Sequence, residues 1–499
     1  MTPWRHWLGR MGSIALLVTM MMVSAERPLA AATLNPTCEV ASLLDAFTTA
    51  MSNTVADTIN LPAGCVYTFT TAAATTDAGS TALPAIANQV PGIDLTLNGN
   101  GATLRRDPAA PAFRLLEVSN QAEAVFRNLT IAHGRAPEGG GIAITWQAAR
   151  VTVSNVTFRD NQAIGLQGEN GGGAIFAHET ALIVENSTFT ANSTTPNQQQ
   201  GTGGAIKNLL SDLTIRDSTF TENRTDYGGA VYIDGTNGTT AANITITRSR
   251  FTNNEARDGG GIYACLYEAS ETLRLDTSTV ANNTVSGQGG GVVRNCIGQF
   301  HLENSAIVGN TASQGGGLEI DHVRATITNS TIANNVAADT GGGVHIYQGQ
   351  MTTNNVTIVG NEAVYGGGIA GGDADTQLSN TIVHNRATNP YGTRFNCLGD
   401  KLSSGGGNIE FPGTANNEYD QNCTVGATIG DPKVLTLTDG TAPPVLPLAG
   451  TSLAIDAGNP STCLDHDQRG YMRHGVCDSG AYEYNGVPTT RIFLPLIRR

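Results

Sequence analysis

Two motifs recur along this chain at a nearly constant spacing, and this repetition constrains the fold more than any other feature. The first motif is a cluster of glycines followed by an apolar residue, as in GGGI or GGAI. Its apolar residue falls at Ile142, Ile175, Ile206, Val231, Ile262, Val292, Leu318, Val344 and Ile369. The last asparagine of a second motif, N-[SV]-T-[FI]-x-x-N in its clearest copies, falls at Asn161, Asn192, Asn223, Asn254, Asn283, Asn310, Asn335, Asn361 and Asn385. The asparagine steps shorten from 31 residues (161 to 192) to 24 residues (361 to 385), in phase with the glycine clusters. Such a period predicts a solenoid, in which each repeat packs only on its neighbours.

The stretches between the motifs predict short β-strands rather than helices. They alternate apolar and polar residues over three to five positions, as in 181–184, 213–215, 244–246 and 273–275, and no ten-residue helical pattern fits between them. This excludes leucine-rich, ankyrin and βαβ repeats. The predicted fold is therefore all-β: a right-handed parallel β-helix, or β-solenoid, with three short strands per coil.

Each repeated residue type has a structural role in such a coil. Glycine permits positive φ where the chain turns a corner. Asparagine tolerates the left-handed conformation, and stacked asparagine amides hydrogen-bond from coil to coil. The Phe, Ile and Val of the second motif fill the interior as a column. The glycines do not form a phosphate-binding loop, because no G-x-x-x-x-G-K-[ST] and no following helix is present.

The two ends of the chain differ from the repeats. Residues 1–32 read as an export signal: Arg5 and Arg10 precede the apolar run 14–23 and a small-residue cleavage site at 30–32. We expect an N-terminal cap with first strands at 33–94, in which Leu43, Leu44 and Phe47 share one face of a short capping helix. The remaining boundaries are repeats at 95–390, C-terminal coils and a disulfide-stapled cap at 391–484, and a tail at 485–499.

Charge and cysteine content bear on the compartment and the partners. Removing residues 1–32 deletes three arginines and one glutamate, which changes the net charge from 25 + 3 − 42 = −14 to 25 − 41 = −16. So acidic a chain is not expected to bind nucleic acid. In an exported chain the eight cysteines are expected to form disulfides, and they fall into near pairs, although the connectivity stays open: Cys38/Cys65, Cys265/Cys296, Cys397/Cys423 and Cys463/Cys477. We expect an extracellular or cell-surface location, with no transmembrane helix once the signal is removed.

The C-terminal part carries three further motifs: IDAGNP from Ile455, D-x-R-G from Asp467 and CDSGAYEY from Cys477. Together with the two ladders they make residues 38–484 resemble the bacterial choice-of-anchor β-helix proteins, and the GGAI repeats are similar to those of polymorphic outer-membrane proteins. The resemblance implies a β-helix of the pectate-lyase-like superfamily, displayed at or released from a cell surface. This chain departs from the sorting signals of such proteins, since it has no L-P-x-T-G motif and no long apolar tail.

Charged residues near the predicted corners are candidates for chemistry, but none forms a repeated column. A lyase-like site needs carboxylates around calcium and a basic residue, and the candidates in the longer coils are Asp226, Asp234, Glu255, Arg224, Arg248 and Arg257. The histidines His322 and His345 follow glycine clusters, where we expect side chains to face outward. The densest charged group, expected to seal the C-terminal coil through Arg–Asp pairs, comprises Asp456, Asp465, Asp467, Arg469, Arg473 and Asp478.

These observations favour a secreted or surface-displayed β-helix that binds extracellular glycan or cells and performs no chemistry. Residues inserted in the longer coils, at 198–200, 234–240 and 263–270, are expected to project from one side as a binding face. The alternative function is a polysaccharide lyase or glycoside hydrolase acting on acidic polysaccharide, and a structural coat protein is a third hypothesis. The sequence identifies no catalytic residue. We expect no cofactor, with bound calcium as the alternative, and extracellular polysaccharide or cell-surface components as partners.

Overall fold

A computed structural model describes residues 31–53, 55–87, 93–145, 148, 150–165, 171–195, 200–236, 243–371, 374–387, 396–399, 402–412, 422–440 and 442–489. The predicted fold class is confirmed: the chain is an all-β parallel solenoid of about 13 turns with one short helix among its described residues. The turns outnumber the nine that carry both motifs because the first and last coils lack them. The signal predicted for residues 1–32 lies almost wholly outside the described residues.

Each coil contributes strands to three faces. The first face contains Thr33–Leu34, Asp57–Asn60, Ile93–Arg106, Glu123–Ala132, Arg150–Arg159, Ala181–Glu185, Asp212–Arg216, Asn243–Thr247, Thr272–Asp276, Gln299–Glu303, Arg324–Thr328, Gln350–Asn354, Asp375–Ser379 and Leu402–Ser404. The second face contains Val66–Phe69, Thr188–Thr190, Thr219–Thr221, Arg250–Thr252, Thr279–Ala281, Ala306–Val308, Thr331–Ala333, Thr357–Ala363, Ile382–Ala387, Ile409–Glu410 and Thr428–Ile429, together with the later halves of the long first-face strands. These strands form one 29-stranded parallel sheet with part of the corners.

The third face is a separate 11-stranded parallel sheet. Its strands are Leu116–Val118, Ile142–Ile144, Ile175–His178, Ile206–Leu209, Val231–Asp234, Ile262–Leu266, Val292–Cys296, Leu318–Asp321, Val344–Tyr347, Ile369–Gly371 and Cys397–Leu398. Short corner strands between the second and third faces are Arg135–Ala136, Gln162–Ala163, Ser193–Thr194, Glu255–Ala256, Thr284–Val285, Thr311–Gln314 and Val336–Thr340. Two antiparallel pairs lie outside the coils: Ala74–Thr76 with Gly79–Thr81, and Tyr471–Met472 with Val487–Pro488.

Alternation along each strand turns one set of side chains into the interior. The phenylalanine column is confirmed: the rings of Phe158, Phe189, Phe220 and Phe251 stack with centroids 4.5–4.8 Å apart and interplanar angles of 6–7°. The helix Val40–Met51 packs on the first coils and buries Leu43 and Phe47 as predicted, while Leu44 is only partly buried. No helix in the described part of the chain is both long and apolar enough to span a bilayer.

The two roles predicted for asparagine fall mostly on different asparagines, although Asn155 combines left-handed backbone with a hydrogen bond from its Nδ2 to Asn128 Oδ1 over 2.7 Å. The nine ladder residues Asn161–Asn385 carry the hydrogen bonds: Asn192 Nδ2, for example, donates to Asn223 Oδ1 over 3.0 Å, and the same oxygen accepts from the backbone N–H of Asn192. Left-handed backbone is found instead at asparagines that begin the motif, such as Asn155 (φ 54°) and Asn186 (φ 48°). A second buried ladder, absent from our sequence expectations, joins serines: the backbone N–H of Ser187 donates to Ser218 Oγ, and that of Ser218 to Ser249 Oγ.

Residues 431–489, called the clasp below, fold back along the second face. A hairpin-like stretch joins Leu435 to Pro447 and Thr438 to Val445 through backbone hydrogen bonds. Its tip reaches Arg250, whose Nη1 lies 3.5 Å from the carbonyl oxygen of Gly440. Apolar clasp residues pack on side chains of the last coils. The clasp contributes Leu446, Leu448 and Ala454, and the coils contribute Ala333, Val359 and Ile382. The C-terminal segment therefore covers a flank of the solenoid and not only its last coil.

The eight cysteines form four disulfides, Cys38–Cys65, Cys265–Cys296, Cys397–Cys423 and Cys463–Cys477. The second bridge joins adjacent coils at the end of a third-face strand. The fourth closes a 14-residue separation within the clasp.

Candidate functional site

Outward side chains of the third face form a column along the solenoid. In successive coils, strand register aligns Lys207 with Tyr232, Tyr263 and Val293, and then Glu319 with His345. Each is the residue that follows the apolar end of a glycine cluster. Because that apolar residue points inward, the next one must point outward.

Four tyrosines, Tyr227, Tyr232, Tyr263 and Tyr267, gather at the upper part of this column and are called the aromatic face below. The rings of Tyr232 and Tyr263 stack at 5.2 Å with an interplanar angle of 16°. Tyr227, at the corner before the sheet, meets Tyr263 edge-on at 5.6 Å. Tyr267, at the corner after the sheet, is 48% exposed. The four rings thus cross the third face from one corner to the other.

Two cations accompany these rings. The Lys207 ammonium lies 5.7 Å from the centroid of the Tyr232 ring, and the Arg257 guanidinium lies 4.2 Å from that of Tyr227. Such contacts hold a cation over a ring face by electrostatic attraction. They orient the rings and place positive charge at two edges of the aromatic face.

Polar partners fix the tyrosine hydroxyls. The Tyr267 hydroxyl donates to Asp234, and Asn295 Nδ2 donates to the Tyr263 hydroxyl over 3.3 Å. Burial raises the pKa of Tyr232, Tyr263 and Tyr267 above the usual value for tyrosine. All three therefore stay neutral phenols at physiological pH, with a hydroxyl that both donates and accepts.

Below the tyrosines, the same column holds a carboxylate–imidazole pair. His345 Nδ1 lies 2.8 and 3.0 Å from the two carboxylate oxygens of Glu319, whose side chain is 4% exposed. Burial raises the pKa of the Glu319 carboxyl, and the hydrogen bond from His345 offsets only part of the rise. Burial lowers the pKa of His345, but the hydrogen bond and charge of Glu319 outweigh it, so the net shift is upward. Such a pair can hold or transfer a proton at the face.

The corner residues nominated from sequence do not assemble into one cluster. Asp226 accepts from the backbone N–H of Gly201, and Arg224 pairs with Glu255 at 3.2 Å where both are well exposed. Arg248 lies at the turn between the first and second faces, bound to Asp217. Only Asp234 and Arg257 contact the aromatic face. Among the described residues no group of three His, Cys, Asp or Glu side chains is placed to hold a metal ion.

The C-terminal charged cluster belongs to the clasp. Asp467 is fully buried and accepts from Arg469 Nε and Nη2 at 2.8 and 2.6 Å. Arg473 pairs with Glu483 at 3.1 Å, with their side chains 3% and 1% exposed, and also donates to Asn329 Oδ1. Burial raises the pKa of Asp478 to about 6. This network fastens the clasp to the coils.

The described parts of the three insertions nominated from sequence lie in or beside third-face strands. Residues 200, 234–236 and 263–270 are described, and 198–199 and 237–240 lie outside the described residues. The first precedes a third-face strand and the other two lie at the ends of such strands. Of the four tyrosines, Tyr263 and Tyr267 lie within the nominated insertion 263–270, whereas Tyr227 and Tyr232 were not nominated. Tyr232 and Tyr263 each follow the apolar residue of a glycine cluster, which is a sequence signal for an outward position on this face.

The family model described as a right-handed β-helix region matches residues 114–275, a stretch that contains the aromatic face. Three solved structures are similar at 13% identity. Tailspike protein 3 of bacteriophage CBA120 has a TM-score of 0.37 over 72% of this chain and 58% of its own, so this chain spans little more than half of the tailspike. Pectate lyase Pel9A has a TM-score of 0.37 over 92% of this chain and 98% of its own. PfbA, a surface adhesin of Streptococcus pneumoniae, has a TM-score of 0.35 over 74% of this chain and 93% of its own. No curated protein sequence matches the chain.

Proposed function

We propose that this protein is secreted or displayed at a cell surface and binds extracellular glycan through the third face. The observation that carries the proposal is the aromatic face, in which four tyrosines cross one side of the longest coils. Planar rings with fixed hydroxyls bury the C–H faces of sugars and hydrogen-bond their edges. Because the rings are held by stacking and cation contacts, little side-chain freedom is lost on binding.

The solenoid adds repetition to this face. Coils stack at about 4.8 Å, so a glycan chain lying along the axis meets the partly exposed Tyr232 and Tyr263 on neighbouring coils. Several weak contacts along one polymer give avidity without a deep pocket. This supports adhesion to a polymer or to a cell coated with one.

Four disulfides support an extracellular location, because such bonds persist in oxidising compartments. Residues 1–32 would direct export. Membership of the choice-of-anchor proteins, with residues 485–499 as the tail, is part of the same proposal. In this role the CDSGAYEY motif would fasten the clasp through Asp478 and Glu483, which accept backbone hydrogen bonds within it.

One observation favours the second candidate, a lyase or hydrolase acting on polysaccharide. Glu319 and His345 place a buried carboxylate and an imidazole on the glycan-facing column, and a perturbed pair of this kind is a proton-transfer candidate. An enzyme would use it on a chain held by the tyrosines above.

Incubation with insoluble neutral and acidic polysaccharides tests both candidates. Sedimentation with a polymer, without new reducing or unsaturated ends, is the expected result. Tyr267→Ala and Tyr232→Ala should weaken sedimentation, while Thr219→Ala on the second face should not. New ends that vanish in Glu319→Gln and His345→Gln would replace the binding proposal with the enzymatic one. No binding and no cleavage on any polymer would refute both and favour the structural coat.

A further inference from the structure

A recess of about 480 Å³ lies at the corner between the third and first faces, just below the aromatic face. Ala269 and Ile297, called the roof below, line it together with Gly298, Val323 and Gly349. The loop of the last long coil overhangs here, because the coils that follow turn the same corner with fewer residues. The change of coil length thus creates a ledge.

The roof is held in place from beneath. Cys265, in the strand that precedes the loop, is bonded to Cys296 in the paired third-face strand of the next coil. Glu271 accepts from the backbone N–H groups of Tyr267 (2.7 Å) and Glu268 (3.2 Å). The fully buried Arg294 donates to the carbonyl oxygens of Ala264 and Ile297. A ligand would therefore meet a preformed roof rather than one it must order.

The wall of the recess is a column of planar polar side chains. Strand register stacks Gln299, Arg324, Gln350 and Asp375 on four consecutive coils. Arg324 Nε donates to Gln350 Oε1 over 3.1 Å, which fixes the plane of the guanidinium. Amide, guanidinium and carboxylate groups supply both donors and acceptors at adjacent positions, as the paired hydroxyls of a sugar require.

Apolar surface completes the recess. Ile297 is 43% exposed in the roof. Tyr347, 44% exposed, contacts the ring of the lining residue His322 at 5.9 Å between centroids. A sugar ring presents hydroxyls at its edge and C–H groups on its faces. A site with a polar wall and an apolar roof matches that division.

We propose that this recess binds one uncharged sugar unit of the glycan that lies on the aromatic face, an inference that rests on the proposed function. The charges of Arg324 and Asp375 balance within the wall, and Asp321 lies beside His322 at the rim. The chain carries a net charge of −14. A uronic acid polymer would be repelled by this field, whereas a neutral polymer would not. The recess therefore selects neutral over acidic glycans.

Titration calorimetry of the secreted chain with cellohexaose, mannohexaose and hexagalacturonate tests the inference. At least one neutral hexamer should bind more tightly than hexagalacturonate. Arg324→Gln and Gln350→Ala should weaken that binding about tenfold. Arg150→Gln is the matched control, because Arg150 is exposed in the same column several coils earlier, away from the ledge, and should leave the affinity unchanged. Unchanged melting temperatures show that each variant is folded.

The outcomes separate the two proposals. If Tyr267→Ala weakens neutral binding while Arg324→Gln and Gln350→Ala do not, the recess is refuted and the glycan-binding face stands. If hexagalacturonate binds more tightly than the neutral hexamers, selection for neutral sugar is refuted. Absence of binding to every glycan by the unaltered chain overturns both.

Discussion

The second face is one row of parallel strands, but its two halves have different surroundings. We call the N-terminal coils, up to Arg250–Thr252, the upper half and the coils that follow the lower half. In the upper coils the outward columns are open and polar: Thr188, Thr190, Thr219 and Thr221, followed by Arg250 and Thr252, are all partly exposed. In the lower coils the clasp lies over the same columns, and the register-equivalent Thr279, Ala281, Ala306, Ala333 and Thr357 are buried.

The comparison shows that the outward residues of a solenoid face differ between its covered part and its open part. Inward residues change little across the boundary, from Phe251 to Val280 and Ile307. One outward column changes from Thr252 to Ala281, Val308, Ala333 and Val359, because a small apolar side chain lets the clasp approach the strands closely. The other outward column replaces Arg250 with threonine or alanine. The clasp contacts named above lie on the second face, and on the third face Tyr267 is 48% exposed.

The largest effect is expected where the clasp is fastened. Arg473→Ala leaves the buried Glu483 carboxylate without its guanidinium partner, which should cost about 3–5 kcal/mol. Denaturant unfolding monitored at the clasp would measure this loss. The control Arg248→Ala breaks an exposed pair with Asp217 on the open half and should cost about 1 kcal/mol or less. Equal losses would contradict the buried anchoring of the clasp.

Substitution at two register-equivalent positions, one beneath the clasp and one on the open half, tests whether the clasp covers the second face. Ala306→Arg places a charge beneath the clasp, where the alanine is fully buried, and should cost about 2–4 kcal/mol or detach the clasp. Thr219→Arg at the same register should change the free energy of unfolding by about 0.5 kcal/mol at most, since the next coil already has Arg250 there. Hydrogen exchange at residues 433–449 would report detachment. Protection unchanged in Ala306→Arg would show that this position is not covered.

The asparagine ladder runs through both halves and should respond equally in each. Asn223→Ala and Asn335→Ala each remove an oxygen that accepts from the preceding ladder asparagine's backbone N–H, at 3.1 and 2.9 Å. Leaving that buried donor unsatisfied should cost about 1–3 kcal/mol in both variants. Thermal unfolding measures both. A much smaller loss in the lower half would mean that the clasp, rather than the ladder, holds those coils together.

The smallest effects are pH-dependent and distinguish the clasp from the third face. The folded pKa of Asp478, about 6, lies above its unfolded value of 3.8. Its stabilising contribution is therefore present below pH 3.8 and is lost as pH rises towards 6. The folded pKa of His345 also lies above its unfolded value, 6.5, so its contribution is complete below pH 6.5 and is lost above it.

Melting temperatures measured against pH separate the two windows. Asp478→Asn should alter the slope only between pH 3.8 and 6, and His345→Gln should alter it mainly above pH 6.5. A slope above pH 6.5 that His345→Gln leaves intact would contradict the Glu319–His345 ion pair.

The sequence predicted the solenoid because the properties it rests on are local and repeated. Glycine at the corners, asparagine in the ladder and the Phe/Ile/Val column each recur once per coil, so period and residue type alone specify them. The sequence also predicted that insertions flank one side. It did not reveal the path of the clasp, because the contacts of Arg473 with Asn329 and of Gly440 with Arg250 join residues 144 and 190 positions apart.

Less of the candidate site than of the fold could be predicted from the sequence. The tyrosines follow no spacing of their own, and they come together only when register aligns Tyr232 with Tyr263. A comparison of the residue after each glycine cluster, coil by coil, would have identified Tyr232 and Tyr263, whereas Tyr227 and Tyr267 lie at the corners. The recess depends on a step between a long and a short coil, which composition does not show.

Hydroxyl-radical footprinting of the protein on its best-bound polysaccharide identifies the face that contacts the polymer. Oxidation of Tyr267 and Tyr347 should fall in the complex, while the exposed Val425 and Leu435 should react as in the free protein. Protection of the second face or of the clasp, with Tyr267 and Tyr347 still fully reactive, would contradict a binding site on the third face.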